Sequence, residues 1–145
     1  MTIALMSQKK YLEAKAYIEN ALRENSSSDA SYYNYGVILY NLNDLDGAIY
    51  QFKSSLKIKP KSHEAINFIG AIHHEKDDFI AALECFKEAT DIAPSYIDAH
   101  INKGNSYTAL RRWREALESY RDALAIQPNS ISAKLAIGIM YVEQR

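Results

Sequence analysis

Cysteine, proline and glycine are all scarce in this 145-residue chain, which carries one, three and five of them respectively. With Cys85 alone no intramolecular disulfide can form, so packing must hold the fold; a single thiol fits a reducing compartment. No run of residues approaches the roughly 20 apolar positions that a membrane span needs. The opening MTIALM is too short for the apolar region of a signal peptide, and Lys9 and Lys10 follow it where a leader has its lysines in front. A cytoplasmic protein with no membrane partner is expected. An excess of charge is also missing: 17 basic against 18 acidic side chains leave a net charge of -1. Without a clustered basic surplus, nucleic acid is not an expected partner.

Signs of chemistry are equally sparse. His73 and His74 are adjacent and would point about 100° apart on a helix, while His63 and His100 add no zinc-like spacing, so no metal site is expected. No carboxylate stands beside a plausible nucleophile or a glycine-rich phosphate loop. Neither catalysis nor a cofactor is expected. Arg111, Arg112, Arg114 and Arg121 cluster at one predicted turn, where a solvated charged loop is the plain reading and recognition of phosphate or an acidic partner the sharper one.

What the chain does have is apolar content, 48% of its residues, and a period. Glycine recurs at Gly36, Gly70, Gly104 and Gly138, and all three prolines, Pro60, Pro94 and Pro128, keep the same 34-residue interval. The stretches GVILYNLNDLDGAIYQFKSSLKIKP, GAIHHEKDDFIAALECFKEATDIAP and GNSYTALRRWREALESYRDALAIQP run from glycine to proline in each copy. Twelve residues after the first three glycines stands Ala48, Ala82 or Ala116, and sixteen after stands Phe52, Phe86 or Tyr120. Glycine inside a helix costs about 1 kcal/mol against alanine, so its repeated use predicts two helix backbones in close approach, with the alanine as the matching small surface. Leu45, Phe79 and Trp113 are expected to open the second helix of each pair. The ring sixteen residues after the glycine is expected to wedge against the first helix.

Helical periodicity places first helices at about residues 30–42, 64–76 and 98–110, and second helices at 45–58, 79–92 and 113–126. Ser28 or Asp29, Ser62, Ser95 and Ser130 are N-cap candidates for the first helices, with Ser95 and Asp98 in capping-box spacing; Asp44 and Asp78 are candidates for the second. The prolines end each unit. Each unit is thus a helical hairpin, and hairpins that repeat at a fixed period add neighbour by neighbour.

These features, a 34-residue helix-turn-helix carrying Gly, then Ala, an aromatic ring and Pro, resemble the tetratricopeptide repeat. The resemblance covers three whole units, residues 29–62, 63–96 and 97–130, in a single array over 1–145. Residues 1–28 form a partial unit in which Tyr11, Ala14, Ile18 and Ala21 keep the second-helix phase, Thr2 the glycine phase and Ser26 the proline phase. Residues 131–145 are the first helix of a further, truncated unit. His100 and Lys103 stand where the family has large apolar residues, which predicts looser packing of that hairpin.

The resemblance implies an all-α, right-handed α-solenoid of antiparallel helix pairs, with first helices lining a concave groove. Helical spacing assigns Tyr33, Asn34, Tyr40 and Asn41 to that face, then Glu64, Asn67, Phe68, Ala71, His74 and Glu75, then Asp98, Ile101, Asn102, Asn105 and Thr108. Glu64, Glu75, Asp98 and Glu143 make it acidic, with no lysine or arginine. The expected function is a non-catalytic scaffold that binds an extended protein or peptide segment. Asn67, Asn102 and Asn105 are expected to pair with its backbone. Tyr33, Asn34, Tyr40, Phe68 and His74 complete the groove. One groove type in the family holds an acidic C-terminal peptide through paired lysines and an arginine, and those cations are absent from this face.

A competing reading makes the chain the substrate-recruiting arm of a larger enzyme, such as a glycosyltransferase resembling O-GlcNAc transferase. That enzyme's repeats carry asparagines two residues before the glycine, as Asn34 and Asn102 do here and Phe68 and Ala136 do not. The last helix shows Ile131, Leu135, Ile137, Ile139, Met140 and Val142 on more than one side, so self-association through this uncapped end is expected.

Overall fold

The structure, a computed structural model, describes residues 2–25 and 27–145, with side chains from residue 7 onward. The described residues form eight helices and no strand: α1 (Thr2–Arg23), α2 (Asp29–Asn41), α3 (Leu45–Ile58), α4 (His63–Glu75), α5 (Phe79–Ile92), α6 (Ile97–Ala109), α7 (Trp113–Ile126) and α8 (Ile131–Glu143). The fold is all-α, of the helical-repeat solenoid class. The chain divides into two compact units, Met1–Ala65 and Ile66–Arg145, with the division inside α4. Ser26, the residue in proline phase, lies outside the described residues, as does the side chain of Thr2.

Local chemistry explains why the hairpin turns repeat. After α2, Asn43 takes the left-handed conformation at φ 62°, its N–H reaches Tyr40 O at 3.0 Å, and the Asp44 N–H reaches Leu39 O at 2.9 Å. This pair of bonds is a Schellman closure of the helix end. Asp77 with Asp78, and Arg111 with Arg112, repeat the same two bonds after α4 and α6. The residue that closes one helix also starts the next: Asp44 accepts from Gly47 N at 3.0 Å and Asp78 from Ala81 N at 3.2 Å. At the other end of each unit, Lys59, Ala93 and Gln127 leave the helix with ψ of 85°, 84° and 93°. The following proline disfavours a helical conformation there.

The second helices start and stop where periodicity puts them. The first helices begin and end one residue earlier than expected, because the Schellman closure takes the last residue out of the helix. Ser28, Ser62 and Ser130 accept from the backbone N–H three residues on, at 3.1, 3.4 and 3.2 Å. Ser95 does not. The N-cap of α6 is Tyr96, with no side-chain cap bond, since Ser95 stands one residue ahead of the phase that Ser28, Ser62 and Ser130 keep.

In the first unit α2 and α3 form a hairpin around Phe52, and α1 lies on α2. Tyr35 donates to Glu19 Oε1 at 2.5 Å, and burial together with that carboxylate pushes the Tyr35 hydroxyl up to about 12. α1 is one unbroken helix, so the second-helix phase of Tyr11, Ala14, Ile18 and Ala21 continues N-terminally without a turn. In the second unit the core gathers Leu83, Tyr107, Ala116, Tyr120, Ala136 and Met140 from α5, α6, α7 and α8.

The ring sixteen residues after each of the first three glycines lies against that glycine, on the first helix. A Cβ on Gly36 would fall 2.8 Å from the Phe52 ring, and one on Gly70 2.7 Å from the Phe86 ring and 2.9 Å from Cys85 Cβ. A Cβ on Gly104 would overlap the Tyr120 ring. The aromatic side chain supplies the nearest atoms at Gly36 and Gly104, and Ala48, Ala82 and Ala116 are fully buried. His100 is buried, and its Nε2 donates to the Pro94 carbonyl at 2.8 Å, so the imidazole ties the preceding loop to the helix.

Candidate functional site

The second unit presents a cavity of about 480 Å³ walled by α4, α6, α7 and α8. Its apolar surface comes from Ile101, Ala109, Leu135, Ala136 and Ile139, and its polar groups from His74, Asn105, Thr108, Tyr120 and Glu143 among others. Helical spacing explains the convergence: Ile101, Asn105 and Thr108 are three to four residues apart on α6, and Leu135 and Ile139 repeat that spacing on α8.

A hydrogen-bond relay backs one wall. The Tyr120 hydroxyl donates to Asn105 Oδ1 at 2.8 Å and lies 3.1 Å from Thr108 Oγ1. Burial raises the Tyr120 hydroxyl pKa; the Thr108 bond lowers it and the Glu143 charge raises it. The ring therefore stays protonated and keeps donating. Asn105, its Oδ1 accepting from Tyr120, lines the cavity. His74 is held by Ser106 Oγ at 2.9 Å from Nδ1 and by the Phe79 ring at 5.0 Å, edge to face. Burial lowers the His74 pKa against the opposing pull of Asp77 and Glu75, so the imidazole is neutral at neutral pH. Among the described residues, Glu143 is then the only charged one lining this cavity.

The residues assigned from the sequence divide between several environments. His74 and Asn105 line the cavity. Asn67 was expected on an open face and is instead buried, 7% exposed; its Oδ1 accepts from Asn102 Nδ2 at 3.2 Å. One hydrogen bond thus joins the two amides across neighbouring first helices. Phe68 is half-buried on α4 and does not line the cavity. In the first unit Tyr33 meets the Phe52 ring edge-on at 5.7 Å, and burial followed by the Glu64 charge raises its hydroxyl pKa. Asn34 is exposed and Tyr40 half-buried. Tyr120, Ser132, Leu135 and Ile139 were not assigned. The glycine phase applied to α8 points to Leu135 and Ile139, whereas Tyr120 belongs to a second helix and only its length brings the hydroxyl through.

The arginine turn is partly internal. Arg112 donates to Glu115 Oε1 at 2.6 and 2.9 Å and lies 4.9 Å over the Tyr107 ring. Among the described residues no helix is long and apolar enough to cross a membrane, and no group of three or more His, Cys, Asp or Glu could hold a metal ion.

Tetratricopeptide repeat family models match residues 3–63, 63–96 and 97–130. No match is found among curated proteins. Among solved structures the chain is similar to MamA from Desulfovibrio magneticus RS-1, at 23% identity and TM-score 0.82, covering 99% of this chain and 82% of that one. It is also similar to YrrB, described as a TPR protein with an unusual peptide-binding site, at 27% identity and TM-score 0.79, over 90% and 68% of the two chains. The first TPR of Spaghetti (RPAP3), bound to the HSP90 peptide SRMEEVD, matches at 18% identity and TM-score 0.75, over 79% of this chain and 91% of that one.

Proposed function

The chain belongs to the tetratricopeptide repeat family, and from that premise we propose that it is a non-catalytic scaffold that binds an extended peptide or partner segment. The observation that carries this reading is the cavity of about 480 Å³, in which apolar walls surround a few fixed polar groups, the usual make-up of a recognition site. Leu135, Ile139 and Ile101 take an apolar side chain, and Asn105 and Thr108 bond to backbone. Two of the similar structures, YrrB and the Spaghetti domain, are described with peptide sites or peptides, which supports the same class of ligand.

The preferred segment is neutral or basic. Glu143 is acidic, His74 is neutral and among the described residues no cation lines the cavity, so a peptide as acidic as SRMEEVD is disfavoured by like charge. The asparagine-ladder reading, with the chain as the recruiting arm of a glycosyltransferase, is the alternative: Asn102 gives one amide N–H to Asn67, and its chemistry includes a second N–H and an acceptor oxygen. The array is read as continuous over 1–145, with whole units at 29–62, 63–96 and 97–130, and the protein as cytoplasmic. The exposed apolar exterior of α8, with Ile131 and Val142 81% and 69% exposed, is read as a contact face between copies of the chain.

The test is a peptide chosen from a display library and titrated by calorimetry. Asn105→Ala should weaken it by about 0.5–1.5 kcal/mol, the size of one hydrogen bond. Leu135→Lys should shift preference toward acidic peptides, and Glu118→Ala, on the outer surface of α7, should change nothing. If Glu118→Ala abolishes binding and the two cavity variants do not, the working face is the outer one and this proposal is wrong.

A further inference from the structure

The cavity of the second unit sits where three helices finish. Its lining takes His74 from the last turn of α4, Thr108 and Ala109 from the last turn of α6, and Glu143 from the last turn of α8. α6 stops at Ala109 and α8 at Glu143, one 34-residue period apart, so the gathering of helix C-termini follows from the repeat. The last carbonyls of a helix carry a partial negative charge, and a cation placed there is stabilised. Glu143 adds a full negative charge to that field.

α8 also presents a surface of graded polarity. Leu135, Ile139 and Glu143 follow one another at intervals of four residues and line the same cavity. They form one stripe along the helix, two apolar residues and then a carboxylate about 6 Å further along the axis. Ile101 of α6 extends the apolar part. Glu143 is exposed, and among the described residues it has no hydrogen-bond or ion-pair partner. Burial raises the Tyr120 hydroxyl pKa and, after the opposing Thr108 bond, so does the Glu143 charge, which puts the carboxylate within electrostatic reach of the ring's polar tip. The Tyr120 hydrogen is already given to Asn105 Oδ1 and is not available to Glu143.

We propose that the cavity holds a lysine or arginine side chain of the bound segment, its aliphatic stem across Ile101, Leu135 and Ile139 and its charged head at Glu143. This rests on the peptide-binding reading and names the residue that the site selects. Both side chains carry a cation at the end of an apolar stem, the order of polarity that α8 presents. An apolar side chain laid over the same stripe would strip water from Glu143 and give nothing in return. A cation replaces that water, and an acidic side chain meets like charge. Asn105 and Thr108 are left for the peptide backbone.

The test is a randomised peptide library displayed and selected on the 145-residue chain. The recovered sequences should share one position rich in lysine and arginine. A synthetic peptide from that pool is then titrated by calorimetry at low salt in a lysine, an arginine and a methionine form. Methionine should bind the parent about 2–5-fold more weakly than the better basic form, the range of an exposed ion pair. On Glu143→Gln that difference should vanish, whereas on Glu118→Gln, at the outer surface of α7, it should persist. Coupling of either basic form to Glu143 supports the proposal and identifies the head group. Recovered peptides without a basic position, or a methionine penalty undiminished on Glu143→Gln, overturn it and leave the peptide site standing. Recovery of no peptide at all overturns both this proposal and the reading on which it rests.

Discussion

The α2/α3 and α6/α7 hairpins share a backbone plan and differ in what they do with it. Both place a glycine against a ring sixteen residues away. In the first the ring is Phe52, apolar and met edge-on by Tyr33; in the second it is Tyr120, whose hydroxyl passes through the interface to Asn105 and Thr108. The positions equivalent to those two partners in the first hairpin are Val37 and Tyr40. The turns differ as well: Asp44 caps α3, while Arg112, at nearly the same φ and ψ, gives α7 no side-chain cap. Ring volume therefore sets the geometry of a unit, and the atoms at the ring's tip decide whether it also builds a polar wall.

Removing the ring should have the largest effect and should make the two hairpins equal. Phe52→Ala and Tyr120→Ala each open a large cavity in a fully buried site, at a cost of about 3–5 kcal/mol in chemical denaturation. A cost below that for either would show that the slot collapses without its ring.

Filling the slot comes next. Gly36→Ala and Gly104→Ala should destabilise by about 1–3 kcal/mol through overpacking, with Gly104→Ala the worse because the Tyr120 ring is anchored by its hydroxyl. Gly138→Ala, which meets nothing, should stabilise by up to about 1 kcal/mol from helix propensity. Equal thermal shifts at Gly104 and Gly138 would refute the account of the slot.

Exchanging the ring tips sharpens the contrast. Tyr120→Phe should cost about 0.5–1.5 kcal/mol as the bond to Asn105 is lost, and peptide affinity at the cavity should fall with it. Phe52→Tyr should cost about 1–3 kcal/mol if its hydroxyl is left unpaired beside Val37. The smallest effect belongs to the turns: Arg112→Asp should install the missing cap and stabilise by about 0.5–1 kcal/mol, less the exposed Glu115 pair. No gain in melting temperature would show that the Arg112 contacts are worth as much as a cap.

Much of the fold was legible because its determinants are local. The second helices were placed by residue type and period alone, and the caps at Ser28, Ser62, Ser130, Asp44 and Asp78 followed from side chains that bond to backbone three residues away. Ser95 misled because a capping residue works at one position only, and that position holds Tyr96. The candidate site was less legible. Helical phase gives the direction in which a side chain leaves its helix but not how deeply a neighbour covers it. Asn67 accordingly shares a face with Asn102 and Asn105 and yet is buried in a bond to one of them.

The sequence by itself determined the helices, their turns and the 34-residue period, since hydrophobic spacing, the prolines and the caps act within a few residues of chain. Only the tertiary structure decided where the Tyr120 hydroxyl ends. It also decided which amides face a ligand and that Gly138 is uncovered. Those outcomes depend on groups brought together from separate helices, where side-chain length and the depth of packing determine which atoms meet.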